Sequence, residues 1–155
     1  DRKIDPQIDE LSLRLANNFI LRNDGNEDYI KKLQVRTIKL LRLYRQTISY
    51  SRYVSTKEIL EHLNYDRNEK ITTYFFRTKI IAKLRDQEVL IASSSNGYKL
   101  PVSMADLYDF INHGATVIIP MLSRISKCVN MIKLTTGEDM LDKINYKDLR
   151  QIIKH

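Results

Sequence analysis

The sequence has a single cysteine, Cys128, so it can build neither an internal disulfide framework nor a multi-cysteine zinc site. Three prolines and four glycines in 155 residues are too few for an all-β architecture or a disordered chain. Its three histidines, His62, His113 and His155, show no i, i+4 or cysteine-paired spacing suited to a metal. No glycine-rich phosphate loop, nucleophile elbow or nuclease-like cluster of carboxylates and lysine stands out. The carboxylates Asp106 and Asp109, and Glu138, Asp139 and Asp142, fall near helix starts, where the helix dipole accounts for them. No catalytic residue, cofactor or metal is therefore expected of this chain. Nor is there an unbroken run of eighteen apolar residues, or a basic segment leading into an apolar one. Hence no membrane span or signal peptide is expected, and the chain is placed in the cytoplasm, on the nucleoid if it is prokaryotic. It begins at Asp1 rather than Met, so a fragment of a longer protein is one reading, and if that longer protein is an enzyme its catalytic domain is expected upstream.

What is present is apolar residues, at 43%, and positive charge, at a net +7. The first is enough for one well-buried core, with a helical appendage. The second is concentrated. Between Lys31 and Arg85 there are 14 Lys and Arg against 4 Asp and Glu, whereas residues 1–30 sum to −3 and residues 86–155 to zero. A cationic segment inside a near-neutral chain suits a nucleic-acid partner, although solvated helix faces also use such residues.

Inside this segment, Ser55-Thr56-Lys57-Glu58 is a capping box that starts a short helix with Ile59, Leu60 and Leu63 inward and a stop at Asn64-Tyr65-Asp66. A longer helix is expected from about Lys70 to Asp86, with Phe76, Ile80, Ile81 and Leu84 as its apolar stripe. Two short apolar runs around Asn96-Gly97 then predict a hairpin whose tip carries Ser93, Ser94, Ser95 and Asn96.

The order helix, turn, helix, hairpin, together with the string from Leu84 through Val89-Leu90-Ile91 to Gly97-Tyr98-Lys99-Leu100, resembles the winged helix-turn-helix of biotin-repressor-like DNA-binding proteins. The resemblance covers about a third of the chain. It implies a recognition helix over about 70–86 that enters the major groove, and a wing over about 92–99. On that basis Arg77 is the expected base contact, followed by Thr73 and Tyr74, because arginine bonds bidentately to guanine and threonine meets the thymine methyl. Lys70, Thr78, Lys79 and Lys83 join them on the helix, Lys79 and Lys83 as phosphate contacts, and Ser94, Ser95, Asn96 and Lys99 on the wing. Tyr74, Phe75 and Phe76 depart from the family pattern, which more often has small or polar residues there, and some of these rings must be core.

Around this unit the sequence predicts a helix from about Gln7 to Arg22, started by Asp5-Pro6 and striped with Ile8, Leu11, Leu15 and Phe19. Another is predicted from about Glu27 to Tyr50, with Ile30, Leu33, Thr37, Leu41, Tyr44 and Ile48 on one side. Lys31, Lys32, Arg36, Lys39 and Arg42 lie on the other. After Pro101, Ser103 and Asp106 cap a helix with Met104, Leu107, Tyr108 and Ile111 on one face, expected to end at Asn112-His113-Gly114. A further helix from about Thr116, with Pro120 in its first turn, carries Ile118, Leu122, Ile125, Val129 and Ile132 at steps of four and three, a two-heptad seam. A homodimer through about 116–134 and packing against the N-terminal helix are both open. A short helix near Glu138–Ile144 and a last one capped by Asn145 complete the chain.

The fold class expected is thus mainly α with a small β-hairpin, a winged helix-turn-helix at 27–101 between an N-terminal helix (1–26) and a C-terminal helical extension (102–155). The function expected is binding of double-stranded DNA, by a regulator or by the DNA-targeting domain of a larger phage, mobile-element or defence protein. The alternatives are a protein-interaction or oligomerisation module and single-stranded nucleic acid or RNA binding.

Overall fold

A computed structural model describes residues 3–143 and 147–154. The protein is mainly helical with one two-stranded antiparallel sheet, and it divides into two compact units between Ile111 and Asn112.

In the first unit, helix α1 (Pro6–Arg22) starts as its sequence dictates: the Asp5 carboxylate accepts from Gln7 N–H at 3.1 Å, and Pro6 fills the first helical position. Its buried residues are Ser12, Ala16 and Phe19, so the inward stripe is rotated from the expected one, leaving Ile8, Leu11 and Leu15 half-buried. Helix α2 (Tyr29–Thr47) buries Leu33, Thr37 and Leu41 as expected and adds Gln34, Ile38 and Leu40, whereas Ile48 lies beyond its end and is exposed. Helix α3 (Thr56–Asn64) has both halves of the Ser55–Glu58 capping box and fully buries Ile59 and Leu63.

The next helical run, called α4, spans 73–86 and joins a turn of α-helix (Thr73–Phe75), a π-helical stretch (Phe76–Ile81) and a closing α-helix (Ala82–Asp86). Backbone bonds in the π stretch reach back five residues, so each turn is wider than in an α-helix and Phe76, Ile80 and Ile81 all lie on the buried side. Phe76, Ile80, Ile81 and Leu84 are all in the core, as the stripe predicts, and burying each is worth about 1.5–3 kcal/mol. The helix ends with Glu88 at φ 65, where Glu88 N–H bonds to the Arg85 carbonyl and Val89 N–H to the Leu84 carbonyl. That pair of bonds is a Schellman motif built without glycine.

Strands β1 (Ala92–Ser94) and β2 (Gly97–Lys99) form the hairpin, with Ser93 opposite Tyr98. Ser94 pairs with Gly97, so Ser95 and Asn96 are the central turn residues rather than Asn96-Gly97. Gly97 serves another purpose: at φ +127 a Cβ there would come within 2.1 Å of the Val54 carbonyl oxygen. The close approach exists because Val54 and Tyr98 exchange backbone hydrogen bonds at 2.7 and 2.9 Å, tying the hairpin to the residue just before the α3 cap.

Helix α5 (Met104–Thr136) overturns the expected break. It runs through Asn112-His113-Gly114 and carries Pro120 in its interior, since one helical glycine costs only about 1 kcal/mol. Its start is as expected, with Asp106 N–H donating to Ser103 Oγ at 3.2 Å. Within the second unit the 3-10 turn Met140–Lys143 and helix α6 (Lys147–Lys154) follow, and the expected Asn145 cap lies outside the described residues. Among the described residues α5 alone is long and apolar enough to cross a membrane by length and composition, with a mean hydropathy of 1.2 over its best eighteen residues, 6% of which are buried.

Candidate nucleic-acid interface

The outward side of α4 is positioned by what its inward side buries. Thr72 caps the helix by accepting from Phe75 N–H at 3.0 Å, and the turn before it is closed by Asn64, whose side chain accepts from Ile71 N–H at 2.8 Å and donates to the Ile71 carbonyl at 3.3 Å. With Phe76 and Ile80 fully buried, Thr73, Tyr74, Arg77, Lys79 and Lys83 are left exposed.

Thr73 and Arg77 face Thr56, Lys57 and Glu61 of α3 across an open depression of about 510 Å³. Arg77, Lys79, Lys83 and Lys57 make no ion pair among the described residues. Lys57 was missed as a site residue, but its signal was present: it follows the capping box and lies outside the stripe of Ile59, Leu60 and Leu63.

The three consecutive aromatics have three fates. Phe76 is core, with Tyr98 edge-on at 5.5 Å between ring centroids. Phe75 is half-buried and stacks on Tyr29 at 6.4 Å. Tyr74 is 77% exposed and is the most exposed ring of the three.

Other expected site residues move. Lys70 precedes the helix rather than opening it, and its ammonium donates to the Asn64 and Arg67 carbonyls, locking the turn. Thr78 is half-buried and donates to the Tyr74 carbonyl at 2.9 Å, so its hydroxyl proton is used within its own helix. Ser95 and Asn96 are exposed at the hairpin tip, whereas Ser94 is half-buried and accepts from Asn96 N–H at 3.1 Å.

Lys99 must be withdrawn from the interface. It is 4% exposed, and its Nζ lies 2.8 Å from Asp106 Oδ2, itself fully buried, and donates to the Tyr50 carbonyl. Alternation along β2 turns Lys99 to the face opposite Tyr98, toward the start of α5, where its charge is neutralised instead of offered. Ser93 is buried as well and hydrogen-bonds Arg85, which also donates to the Ile91 carbonyl at 2.9 Å and lies 4.2 Å above the Phe110 ring. Burial pushes the Arg85 pKa down from the ordinary arginine value, and the residue ties the hairpin to α4.

Most of the basic side of α2 is spent on the protein itself, and Lys39 stays exposed. Lys31 donates to Gln87 at 2.6 Å, Arg36 to Asp66 and the His62 carbonyl, Arg42 to Asn17 at 2.8 Å and Arg45 to Asp9. Positive charge is thus concentrated in the sequence over 31–85, and Lys57, Arg77, Lys79 and Lys83 of α3 and α4, with Lys39 of α2, are exposed cations of that segment that make no ion pair among the described residues. Comparison with protein-family models, with curated proteins and with solved structures finds no match.

Proposed function

We propose that residues 29–99 are a winged helix-turn-helix that binds duplex DNA, with α4 as the reading helix and the Ser95-Asn96 tip as the wing. The observation that carries this reading is the exposure of Arg77 beside Thr73 and Tyr74 on a helix whose opposite side is wholly core, with Lys57 across the same depression. Arg77 reads a base edge, with Thr73 and Tyr74 next to it, while Lys57, Lys79 and Lys83 contact phosphates and fix the docking register. The pairing of Val54 with Tyr98 supports the reading, because it anchors the hairpin next to the start of α3. Such a module serves a regulator or targets a larger protein to DNA.

The test is a pair of substitutions measured against a panel of duplexes. Arg77→Ala should relax preference at one base-pair position at a cost of about 1–3 kcal/mol, and Lys83→Ala should weaken every duplex about equally. If both bind like the parent, α4 is not the reading helix. No binding to any nucleic acid at low salt would favour a protein-interaction module instead. Preference for single strands, abolished by Tyr74→Ala, would favour base stacking on that exposed ring.

A further inference from the structure

The continuity of α5 changes what its apolar residues amount to. Read as two helices, the segment has one short face ending at Ile111 and a separate two-heptad seam beginning at Ile118. As a single helix from Met104 to Thr136, it joins them, because Ala115 supplies the missing step between Ile111 and Ile118. The stripe then advances by alternating steps of four and three from Met104 to Ile132, four heptads in one register.

The charges obey the same register. Asp106, Asp109, His113, Arg124 and Lys127 all fall on the outer positions, away from the stripe, and Lys133 alone flanks it. So does Pro120, whose missing N–H is therefore on the outer side. In the first unit those outer positions are also the ones that hold the body: Asp106 pairs with Lys99, Asp109 accepts from Tyr53 at 3.0 Å, and Phe110 lies under Arg85. The stripe residues of the same turns stay exposed, Tyr108 at 56% and Ile111 at 61%.

We propose that this stripe is covered by further copies of the same chain, as a parallel bundle of three or four α5 helices. A heptad stripe is matched by a helix with the same repeat, and a second copy in register meets apolar with apolar at every layer, with no charge opposed across the seam. The number of copies follows from side-chain shape. Four of the five d positions are isoleucine, at 111, 118, 125 and 132, with Met104 the fifth, and the a positions are Tyr108, Ala115, Leu122 and Val129; isoleucine at d beside Leu122 at a is the combination that favours three or four strands over two. Ile119 and Met121 border the stripe and widen it, as a bundle with more than two neighbours requires. A membrane is the other apolar partner for such a helix, but Arg124 and Lys127 stand in the middle of its apolar stretch, where bilayer burial of charge is strongly disfavoured. The two-copy seam expected over 116–134 is thereby extended to 104–132 and to a larger assembly.

The test is the mass of the whole chain in solution by light scattering, without DNA, so it succeeds or fails independently of the nucleic-acid reading. A species of about 55 or 73 kDa, three or four times the 18.3 kDa chain, is expected. Ile125→Asp should reduce it to the single-chain mass, while Lys127→Glu, on the outer side, should leave it unchanged. Circular dichroism and the melt of Ile125→Asp distinguish dissociation from unfolding. A short bis-maleimide should link Cys128 of one copy to Cys128 of another, since a parallel bundle sets them at one level. A single-chain mass at about 100 µM, a mass of about 37 kDa, or a mass that Ile125→Asp does not change would overturn the bundle. So would flotation of the parent chain with phosphatidylcholine–phosphatidylglycerol vesicles and loss of that flotation in Ile125→Asp.

Discussion

Helices α4 and α5 are both built from apolar residues interleaved with cations, and they end up with opposite surfaces. α4 buries its whole apolar stripe, Phe76, Ile80, Ile81 and Leu84, in the core it shares with residues of α1, α2 and α3, and Arg77, Lys79 and Lys83 remain outside. α5 leaves Tyr108, Ile111, Ile118 and Ile119 more than half exposed, and Arg124 and Lys127 sit on the far side. A helix whose apolar side is satisfied within its own chain offers charge to a partner; one whose apolar side is not offers that side. The first suits the proposed polyanion site and the second the proposed assembly.

The sharpest way to break this contrast is to truncate one stripe residue on each helix. Phe76→Ala should lower the unfolding free energy by about 3–5 kcal/mol, and Ile118→Ala should change the melt of the first unit by less than about 1 kcal/mol. Equal effects in denaturant titrations would erase the distinction.

A second comparison sets two lysines against each other. Lys99 is buried with Asp106, so Lys99→Ala removes the ion-pair partner of a fully buried carboxylate and should cost about 3 kcal/mol or more, whereas Lys83→Ala on the surface of α4 should cost within about 0.5 kcal/mol. Duplex affinity should show the reverse order once the stability of the Lys99 variant is allowed for.

Acid sharpens the picture at the start of α3. The Ser55 backbone N–H bonded to the Glu58 carboxylate holds it below the ordinary value of 4.5, helped by the Ser55 and Tyr44 hydroxyls and Arg52 against the opposing effect of burial. The folded pKa is lowered, so the unfolded chain takes up the proton first. The stabilisation is present above 4.5 and is lost as pH falls through that value toward the folded one. Glu58→Gln should flatten that part of the acid titration of stability. The smallest expected effect is at the end of α4, where Glu88→Gly should raise stability by about 0.5–1 kcal/mol, because glycine adopts positive φ without the Cβ penalty.

Features fixed by neighbours in the chain were legible. The Asp5-Pro6 start, the Ser55–Glu58 box, the Ser103–Asp106 cap and the α4 core stripe each depend on residues within a turn or two of one another. Lys99 was not legible, because its burial depends on Asp106 of a later helix rather than on anything in the hairpin. The commitment of α2's cations was hidden for the same reason, with Asp9, Asn17, Asp66 and Gln87 all far from them in sequence. The path of α5 through Gly114 was misjudged because turn-forming residues bias a helix by only about 1 kcal/mol each. At the candidate site Arg77 is exposed on its helix as expected, Lys57 lies across the same depression, and Lys99 is buried.

The most direct measurement is a salt titration of the whole chain on equimolar duplex DNA, single-stranded DNA and RNA of one sequence. Tighter binding to the duplex, with log affinity falling linearly against log salt and a slope that Lys57→Ala or Lys83→Ala reduces by about one, is the expected result. Affinity indifferent to salt, or equal for all three nucleic acids, would contradict it.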